Sequence, residues 1–327
     1  MNSVLIYGQG IAALTAAWEL AKRGHTVNLV GRGDLTAIQL ALDPITVQLL
    51  EEIFHTRLVR QPFSHPISRR SIRGWYSTPT TIETDSLSIS LDALVDHLRE
   101  CLKKRFPISV TFWNQLPRVF PHHFVICATG RRDSDALTFG GRVAAMATVQ
   151  LQSSLDSSVV ERTDYGWAFL LPSSEDQAHL FASAANTDRV PMDLLDATTK
   201  SCSFRNSISI REAFQNWRRV APSLSHPLAT PSEIFVGESA FSVDPICGDG
   251  VGYAVRSALL AAIVVADQTR YETHGRKYYV ARLLRAFYAH LAGCANVYAG
   301  WRDAGWSEEV QCMKRGMLYL RNQTAVA

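Results

Sequence analysis

The chain has 327 residues, 47% hydrophobic and 19% charged, the make-up of a soluble globular protein with room for two intertwined domains at about 150 residues each. A formal net charge of +3 with no basic block carrying interleaved aromatics argues against a nucleic-acid binder, and the apolar run over 254–266 is too short, and too interrupted by Arg256, to span a bilayer. The six cysteines include no Cys-x-x-Cys pair, which argues against a zinc site or a disulfide framework and predicts a cytoplasmic protein with free thiols; residues 1–8 read directly as a strand, with no basic leader before it.

In chain order, Val4, Leu5, Ile6 and Tyr7 predict a buried strand. Gly8-Gln9-Gly10-Ile11-Ala12-Ala13 follows at once, and Leu14, Ala17, Trp18 and Ala21 recur at helical spacing up to Gly24, a helix stop. A second strand is predicted over 26–30. This is a βαβ unit with Gly-x-Gly-x-x-Ala at the strand end and helix start, the pattern of dinucleotide binding. Gly8 permits the turn, Gly10 lets a pyrophosphate approach the backbone, and Ala13 allows close helix–strand packing. The second strand of such a unit normally ends in an acid that binds the ribose. By count that position is Gly31, followed by Arg32, which leaves the ribose to Arg32, Asp34 or water.

Residues 40–54 predict a loop feeding a short helix. Residues 57–81 are basic and strand-like, with Trp75 and Tyr76, and most of their arginines are expected on a solvated sheet face. A short strand and an amphipathic helix follow over 88–98. Strands are predicted at 110–113 and 124–128, the second running into Thr129 and Gly130. Residues 141–231 read as strands plus one helix. Within them Trp167 and Phe169 lie on an aromatic strand, either packed in the core or lining a pocket, and 211–220 reads as a basic amphipathic helix. A short strand at 234–236 ends at Gly237-Glu238, with a carboxylate at its tip. Asp244-Pro245 forces an extended turn, and Gly248, Gly250 and Gly252 open a small-residue helix expected over 253–266. Free N–H groups and the positive end of a dipole at such a start suit an anion, or an oxygen that becomes negative in a reaction. From 276 onward the chain reads as a helical cap. Its buried stripe is Tyr278, Leu283, Leu284, Phe287 and Leu291, continued by Trp301, Trp306, Met313, Met317 and Tyr319.

Gly237-Glu238-Ser239-Ala240, Asp244-Pro245 and Gly248-Asp249-Gly250-Val251-Gly252 resemble the second flavin motif of the p-hydroxybenzoate-hydroxylase-like FAD-dependent oxidoreductases. These are aromatic monooxygenases, flavin-dependent halogenases and geranylgeranyl reductases. The stretch 124–134, with Ala128, Thr129 and Gly130, resembles their third motif, and the three motifs occur in family order over 1–30, 124–134 and 236–266. The resemblance implies an α/β fold: an FAD-binding Rossmann-like domain of glutathione-reductase type, with an inserted β-sheet substrate domain and C-terminal helices. The FAD-binding parts would be 1–60, 86–140 and 232–270, the substrate parts 61–85 and 141–231, and the helical region 271–327. The cofactor implied is FAD. Gly8, Gly10, Ala12, Ala13, Gly31 and Arg32 would face its pyrophosphate and adenosine, and Ala128, Thr129 and Gly130 would lie against it. Gly237 and Glu238, the latter in place of the usual Asp, would hold the ribityl chain. Pro245, Gly248, Gly250, Val251 and Gly252 would face the pyrimidine end.

The family's departures here also carry expectations. No Arg stands near Ser90, where hydroxylases commonly place one for the pyrophosphate. Thr129-Gly130 replaces the Asp-Gly of NADPH-using hydroxylases, which favours an external reductant such as a separate flavin reductase. The halogenase Trp-x-Trp-x-Ile-Pro run is absent. The activity implied is a monooxygenase in which reduced flavin and O₂ give a C4a-hydroperoxide. Its oxygen would pass to an aromatic or other electron-rich substrate in a pocket near Trp167 and Phe169; no catalytic side chain and no metal ligand is identified. Four alternatives stay open: a halogenase-like enzyme, a prenyl-type reductase, a maturase that oxidises a side chain such as Trp of a partner protein in quinone-cofactor biogenesis, and a non-enzymatic flavin-binding protein.

Overall fold

The N-terminal apolar run forms β1 (Ser3–Tyr7), the glycine turn follows, and α1 (Ile11–Lys22) leads into β2 (Thr26–Val30). A computed structural model describes residues 3–31, 38–114, 124–131, 136–185, 193–267, 271–301 and 304–326. β1 lies at the centre of a parallel five-stranded sheet with β2, β6 (Val110–Trp113), β7 (Phe124–Cys127) and β15 (Glu233–Phe235), in the order β15-β7-β1-β2-β6. Strands buried on both faces must be apolar throughout; Val4, Leu5 and Ile6 are at most 1% exposed. α1 packs against α5 (Gly250–Val265), an alanine-rich helix whose small side chains let the two axes approach.

The second sheet has eight strands, in the order β13-β9-β12-β11-β10-β4-β5-β3. They come from three stretches of chain: β3 (Gln39–Leu42); β4 (Ser64–Arg73) with β5 (Thr80–Ser90); and β9 (Val143–Leu151), β10 (Ser157–Arg162), β11 (Gly166–Pro172), β12 (Gln177–Ala184) and β13 (Ile208–Arg219). One face covers a separate small core with α4 (Leu194–Ser201), through Val159, Leu170 and Leu180. The other meets the main core through Trp167, Val160, Phe169 and Phe181. α2 (Pro44–Phe54) lies between this sheet and α5, and α3 (Leu91–Arg105) packs on α1. β8 (Ala136–Thr138), β14 (Ser223–Ser225) and β16 (Phe241–Ser242) make a small third sheet. The architecture is a Rossmann-like α/β domain with an inserted sheet and C-terminal helices.

Those helices are α6 (Arg276–Tyr298) and α7 (Ala304–Val326). Aromatic rings tie them to the inserted sheet: Tyr298 and Trp301 each lie 4.5 Å from Trp306, and Trp301 lies 5.9 Å from Trp75. No helix among the described residues is long and apolar enough to cross a membrane.

Two expectations are corrected. Residues 211–220 do not form a helix; as far as Arg219 their backbone belongs to β13, antiparallel to β9. Register shifts after Ile210 and Phe214 break the two-residue alternation that marks a strand, and the edge of β9 supplies the pairing partner that local spacing does not reveal. On α6, Tyr278 is exposed and Tyr279 is fully buried. Tyr279, Leu283, Phe287 and Leu291 follow one another at i+4, so the stripe begins one residue later than expected. The Tyr279 hydroxyl donates to the Phe235 carbonyl at the end of β15.

Candidate functional site

The site forms where the parallel strands end. Gly8 has φ 126°, and a side chain there would overlap the Ala128 carbonyl. Its N–H donates to Val30 O at 2.8 Å, while the Ala128 N–H donates to Tyr7 O at 2.6 Å. The tips of β1, β2 and β7 are thus drawn together around one glycine. Ala13, in the first turn of α1, is fully buried. Ala12 lies where a Cβ on Gly237 would come within 3.0 Å of it, so the first and second glycine segments touch. The Gly31 N–H donates to Trp113 O at 3.2 Å, and Gly31 abuts the Gln9 side chain. Arg32 lies outside the described residues.

The segment from Gly237 is stitched to the third motif. Gly237 has φ 59° and its N–H donates to Ser257 Oγ at 2.9 Å. The Ser239 hydroxyl donates to Gly130 O at 3.1 Å, and Thr129 Oγ1 lies 3.4 Å from it. Glu238, Thr129 and Cys247 are exposed. Even so, burial raises the pKa of Glu238, opposed by Arg131. Burial, with the carboxylates of Asp244 and Asp249, pushes the Cys247 thiol to about 12 despite a backbone hydrogen bond from Asp249. Both hold at once where a group is open to solvent on one side and crowded by protein on the others, as in the wall of a recess.

Three helices start around this recess and are finished differently. Asp43 caps α2, accepting from the N–H groups of Ile45 at 2.9 Å and Thr46 at 3.0 Å. α1 begins at Gly10 and α5 at Asp249, and neither has a side-chain cap. The Asp249 carboxylate turns away to Arg256 and, at 3.4 Å, to the Thr46 hydroxyl. Among the described residues no side chain caps the first N–H groups of α1 and α5. A Cβ at Gly10, Gly130 or Gly248 would meet no atom within 4 Å. Open space beside uncapped helix starts fits a pyrophosphate at α1 and an electron-rich ring edge at α5.

A buried ionic network, which the sequence reading missed, holds the turn before α5. Asp244 is fully buried. Its carboxylate accepts from Ile246 N–H at 2.9 Å and from the Tyr298 hydroxyl at 3.0 Å. Its own N–H donates to His290 Nε2 at 2.8 Å. Arg142, also fully buried, puts Nε 2.7 Å from Asp244 Oδ2, a close ion pair without hydrogen-bond alignment, and it pairs with Glu309 through Nη1. Glu309 accepts in addition from Gly141 N–H at 2.6 Å. Burial opposes the Arg142 charge, but Asp244 and Glu309 outweigh it and hold its pKa up. Burial raises the pKa of Glu309 against the pull of Arg142.

Arg99 is a second residue not anticipated. It stands two turns into α3, half-buried, and its guanidinium donates to Gln9 Oε1 at 3.2 Å. Arg99 also pairs with Asp96 at 3.2 Å, so its guanidinium links α3 to the first glycine turn. Helical spacing gives no signal for it, since nine residues are about two and a half turns and put Arg99 on the side of α3 opposite Ser90.

On the sheet face toward this site, Ile72, Val160, Phe169, Phe181 and Met146 are partners in register across five strands, and each is half-buried. Phe169 stands in this row. Trp167 takes the core-packing option: it is 2% exposed, its indole N–H donates to the Tyr298 hydroxyl at 3.2 Å, and its ring lies 5.2 Å from Phe181.

No family model and no curated protein matches the sequence. Solved structures do. The peptidyl tryptophan dihydroxylase QhpG, essential for tryptophylquinone cofactor biogenesis, superposes with a TM-score of 0.75 at 19% identity, over 94% of this chain and 78% of that one. The chain has the fold of these flavoenzymes. The myxobacterial chondrochloren halogenase CndH, an FAD-dependent halogenase, gives 0.75 at 16% identity, over 94% and 86%. A geranylgeranyl bacteriochlorophyll reductase-like protein from Thermoplasma acidophilum gives 0.72 at 15%, over 99% and 92%.

Proposed function

We propose that the chain is an FAD-dependent oxidoreductase acting as a monooxygenase on an electron-rich aromatic substrate. The observation that carries the cofactor is the pairing of two uncapped helix starts with glycines whose missing side chains leave open space. Gly10 and the start of α1, with Arg99 nearby, would hold the pyrophosphate. Gly8, Ala12 and Ala13 shape that turn, and Gly31 closes its adenosine side. Glu238 would accept from a ribityl hydroxyl. Ala128, Thr129 and Gly130 would line the middle of the cofactor, and Gly237 and Pro245 fix the backbone around it. When bound, FAD supplies two-electron redox chemistry and reaction with O₂.

The rest of the work falls to this chain's own groups. The N–H groups at Gly250, Val251 and Gly252 would stabilise negative charge facing them, preorganised and at no cost in reorganisation, while Gly248, whose own N–H donates to Pro245 O at 3.0 Å, leaves open space beside them. The half-buried apolar row through Phe169 would orient a flat substrate and exclude water. Thr129, where NADPH-using hydroxylases carry Asp, supports reduction by a separate reductase. The same chemistry on a tryptophan of a partner protein is a second reading, supported by the likeness to the peptidyl tryptophan dihydroxylase.

The test is reconstitution. Apoprotein should take up FAD close to stoichiometrically and release it on denaturation. Reduced protein exposed to O₂ should then couple oxygen uptake to product. Uptake of FMN only, or of no flavin, overturns the cofactor assignment; product formed without oxygen uptake overturns the monooxygenase.

A further inference from the structure

The aromatic rings where α6 and α7 meet the inserted sheet are of one chemical kind. From the turn before α5 outward, Tyr298 meets Trp306 with ring centres 4.5 Å apart, Trp306 meets Trp301 at 4.5 Å, and Trp301 meets Trp75 at 5.9 Å. Trp167 joins the inner end, its indole N–H donating to the Tyr298 hydroxyl at 3.2 Å. Tyr298, Trp306, Trp301 and Trp167 are at most 5% exposed. Trp75, just past the end of β4, is half-buried and reaches solvent. Rings at such separations are in contact, so the run is continuous from the interior to the surface.

Packing alone does not select these residue types. The chain has 14 phenylalanines and 7 tryptophans, yet the run from Trp167 to Trp75 holds four tryptophans and a tyrosine and no phenylalanine. Around Trp18, where packing is the task, the partners include Phe54 and Phe106. Phenylalanine fills space as well, but only indole and phenol give up an electron readily.

The protons of these rings are also treated differently. An oxidised phenol must shed its proton, and the Tyr298 hydroxyl already donates to Asp244 Oδ1 at 3.0 Å. The Arg142 guanidinium over that ring, at 5.4 Å, does not oppose the phenoxyl, which is neutral. The indole N–H of Trp301 is buried with no acceptor among the described residues, and Arg162 stands over its ring at 4.6 Å. With no exit for its proton and a cation on its face, Trp301 passes positive charge on and does not store it. The run thus has one resting place, at Tyr298, and a relay leading out.

We propose that Tyr298, Trp306, Trp301 and Trp75 carry single electrons from the surface to the turn before α5, repairing the site after a misdirected oxidant. A radical of the hydroxyl or peroxyl class, formed when oxygen is not passed to substrate, takes one electron from Trp167, whose ring lies 5.2 Å from Phe181 in the site-facing row. Tyr298 refills Trp167 and its proton passes to Asp244. Trp306 then gives Tyr298 an electron, the proton returns, Trp301 refills Trp306, and Trp75 refills Trp301. A solvent reductant such as a thiol or ascorbate refills Trp75. The radical has gained one electron, the reductant has lost one, and every ring ends as it began. This use rests on the proposed oxygen chemistry; the route itself does not.

The experiment is pulse radiolysis of the purified protein, in which azide radicals remove one electron from accessible tryptophan. The indole-radical absorbance should decay as phenoxyl absorbance grows, at a rate independent of protein concentration. Tyr298→Phe and Trp306→Phe should each slow that conversion by an order of magnitude or more, while Trp113→Phe, off the run, leaves it unchanged. Denaturant unfolding of each variant checks the fold, and Trp306→Phe keeps a ring in place should loss of the Asp244 hydrogen bond unfold Tyr298→Phe. Absence of a concentration-independent conversion in wild type, or a conversion as fast in Trp306→Phe, overturns the route. In a second arm, FAD-loaded protein consumes O₂ and oxidised side chains are mapped by mass spectrometry. Trp301→Phe should accumulate oxidation at Met146 and Trp167 severalfold faster than wild type per O₂ consumed; equal accumulation overturns the repair role. Failure to take up FAD would sink the flavoenzyme reading and leave the radiolysis to decide the route alone.

Discussion

Acid should loosen the turn before α5 at one imidazole. His290 is 5% exposed and lies against Phe287, Tyr253 and Cys294. Its Nε2 accepts the Asp244 N–H, which requires a lone pair and hence a neutral ring. Burial brings its pKa from the ordinary 6.5 down to about 4; Asp244 opposes the shift and Arg142 adds to it. The folded protein therefore takes up this proton less readily than the unfolded chain. The stabilisation is complete above pH 6.5 and is lost as the pH falls through about 4. A fall from 6.5 to about 4, at about 1.36 kcal/mol per pH unit, corresponds to about 3 kcal/mol. The control is His290→Gln, whose amide oxygen still accepts from Asp244 N–H but does not titrate. Denaturant unfolding of both proteins across that window should show wild type losing about 3 kcal/mol more than the variant. Carboxylates shared by the two cancel in the difference. Parallel stability curves would refute the reasoning, because His290 would then be protonated in the fold or carry no part of the Asp244 anchor.

Other outcomes follow from the same geometry. Gly10→Val should fold normally, since its Cβ meets no protein atom within 4 Å, yet fail to take up FAD in an apoprotein titration; normal flavin content would make the turn purely structural. Glu309→Ala leaves Arg142 with one carboxylate and Gly141 N–H unpaired. Breaking a buried pair costs about 3–5 kcal/mol, and an unfolding entropy of about 2.1 cal/mol/K per residue over 327 residues makes that a Tm loss of about 4–7 °C by calorimetry. Glu238→Ala should weaken FAD by roughly one to two decades, the worth of a hydrogen bond to a charged acceptor, whereas Glu238→Asp should bind at least as well as wild type; unchanged affinity in the Ala variant would mark the carboxylate as a bystander. Under anaerobic mixing, NADPH alone should reduce the flavin slowly and a separate flavin reductase quickly; fast bleaching by NADPH alone would show that Thr129 does not bar it.

The glycine turns and the parallel sheet were legible in the sequence because each rests on local residue types. Gly8 is needed for a positive φ against Ala128, and the apolar run before it can only be a buried strand. The network around Asp244 was not legible. Arg142 and Glu309 stand 167 positions apart and read singly as surface charges. Only the packing of α6 and α7 turns them into a buried pair. β13 escaped because its bulges erase the alternation of a strand.

The anchoring of Asp244 also bears on when the protein becomes competent during its own synthesis. His290 and Tyr298 follow Asp244 by 46 and 54 residues, and Glu309 comes later still. At about 5–20 residues per second, the turn emerges from the ribosome roughly 2–11 s before those partners do. Both glycine turns are complete by then, but the second has only Ile246 N–H and Arg142 on the Asp244 carboxylate, without His290 and Tyr298. The order of synthesis thus puts the full set of contacts around the second glycine turn at the end of the chain's emergence. In the interval α5 already has α1 against it but lacks α6, so part of its apolar surface stays uncovered until the C-terminal helices follow.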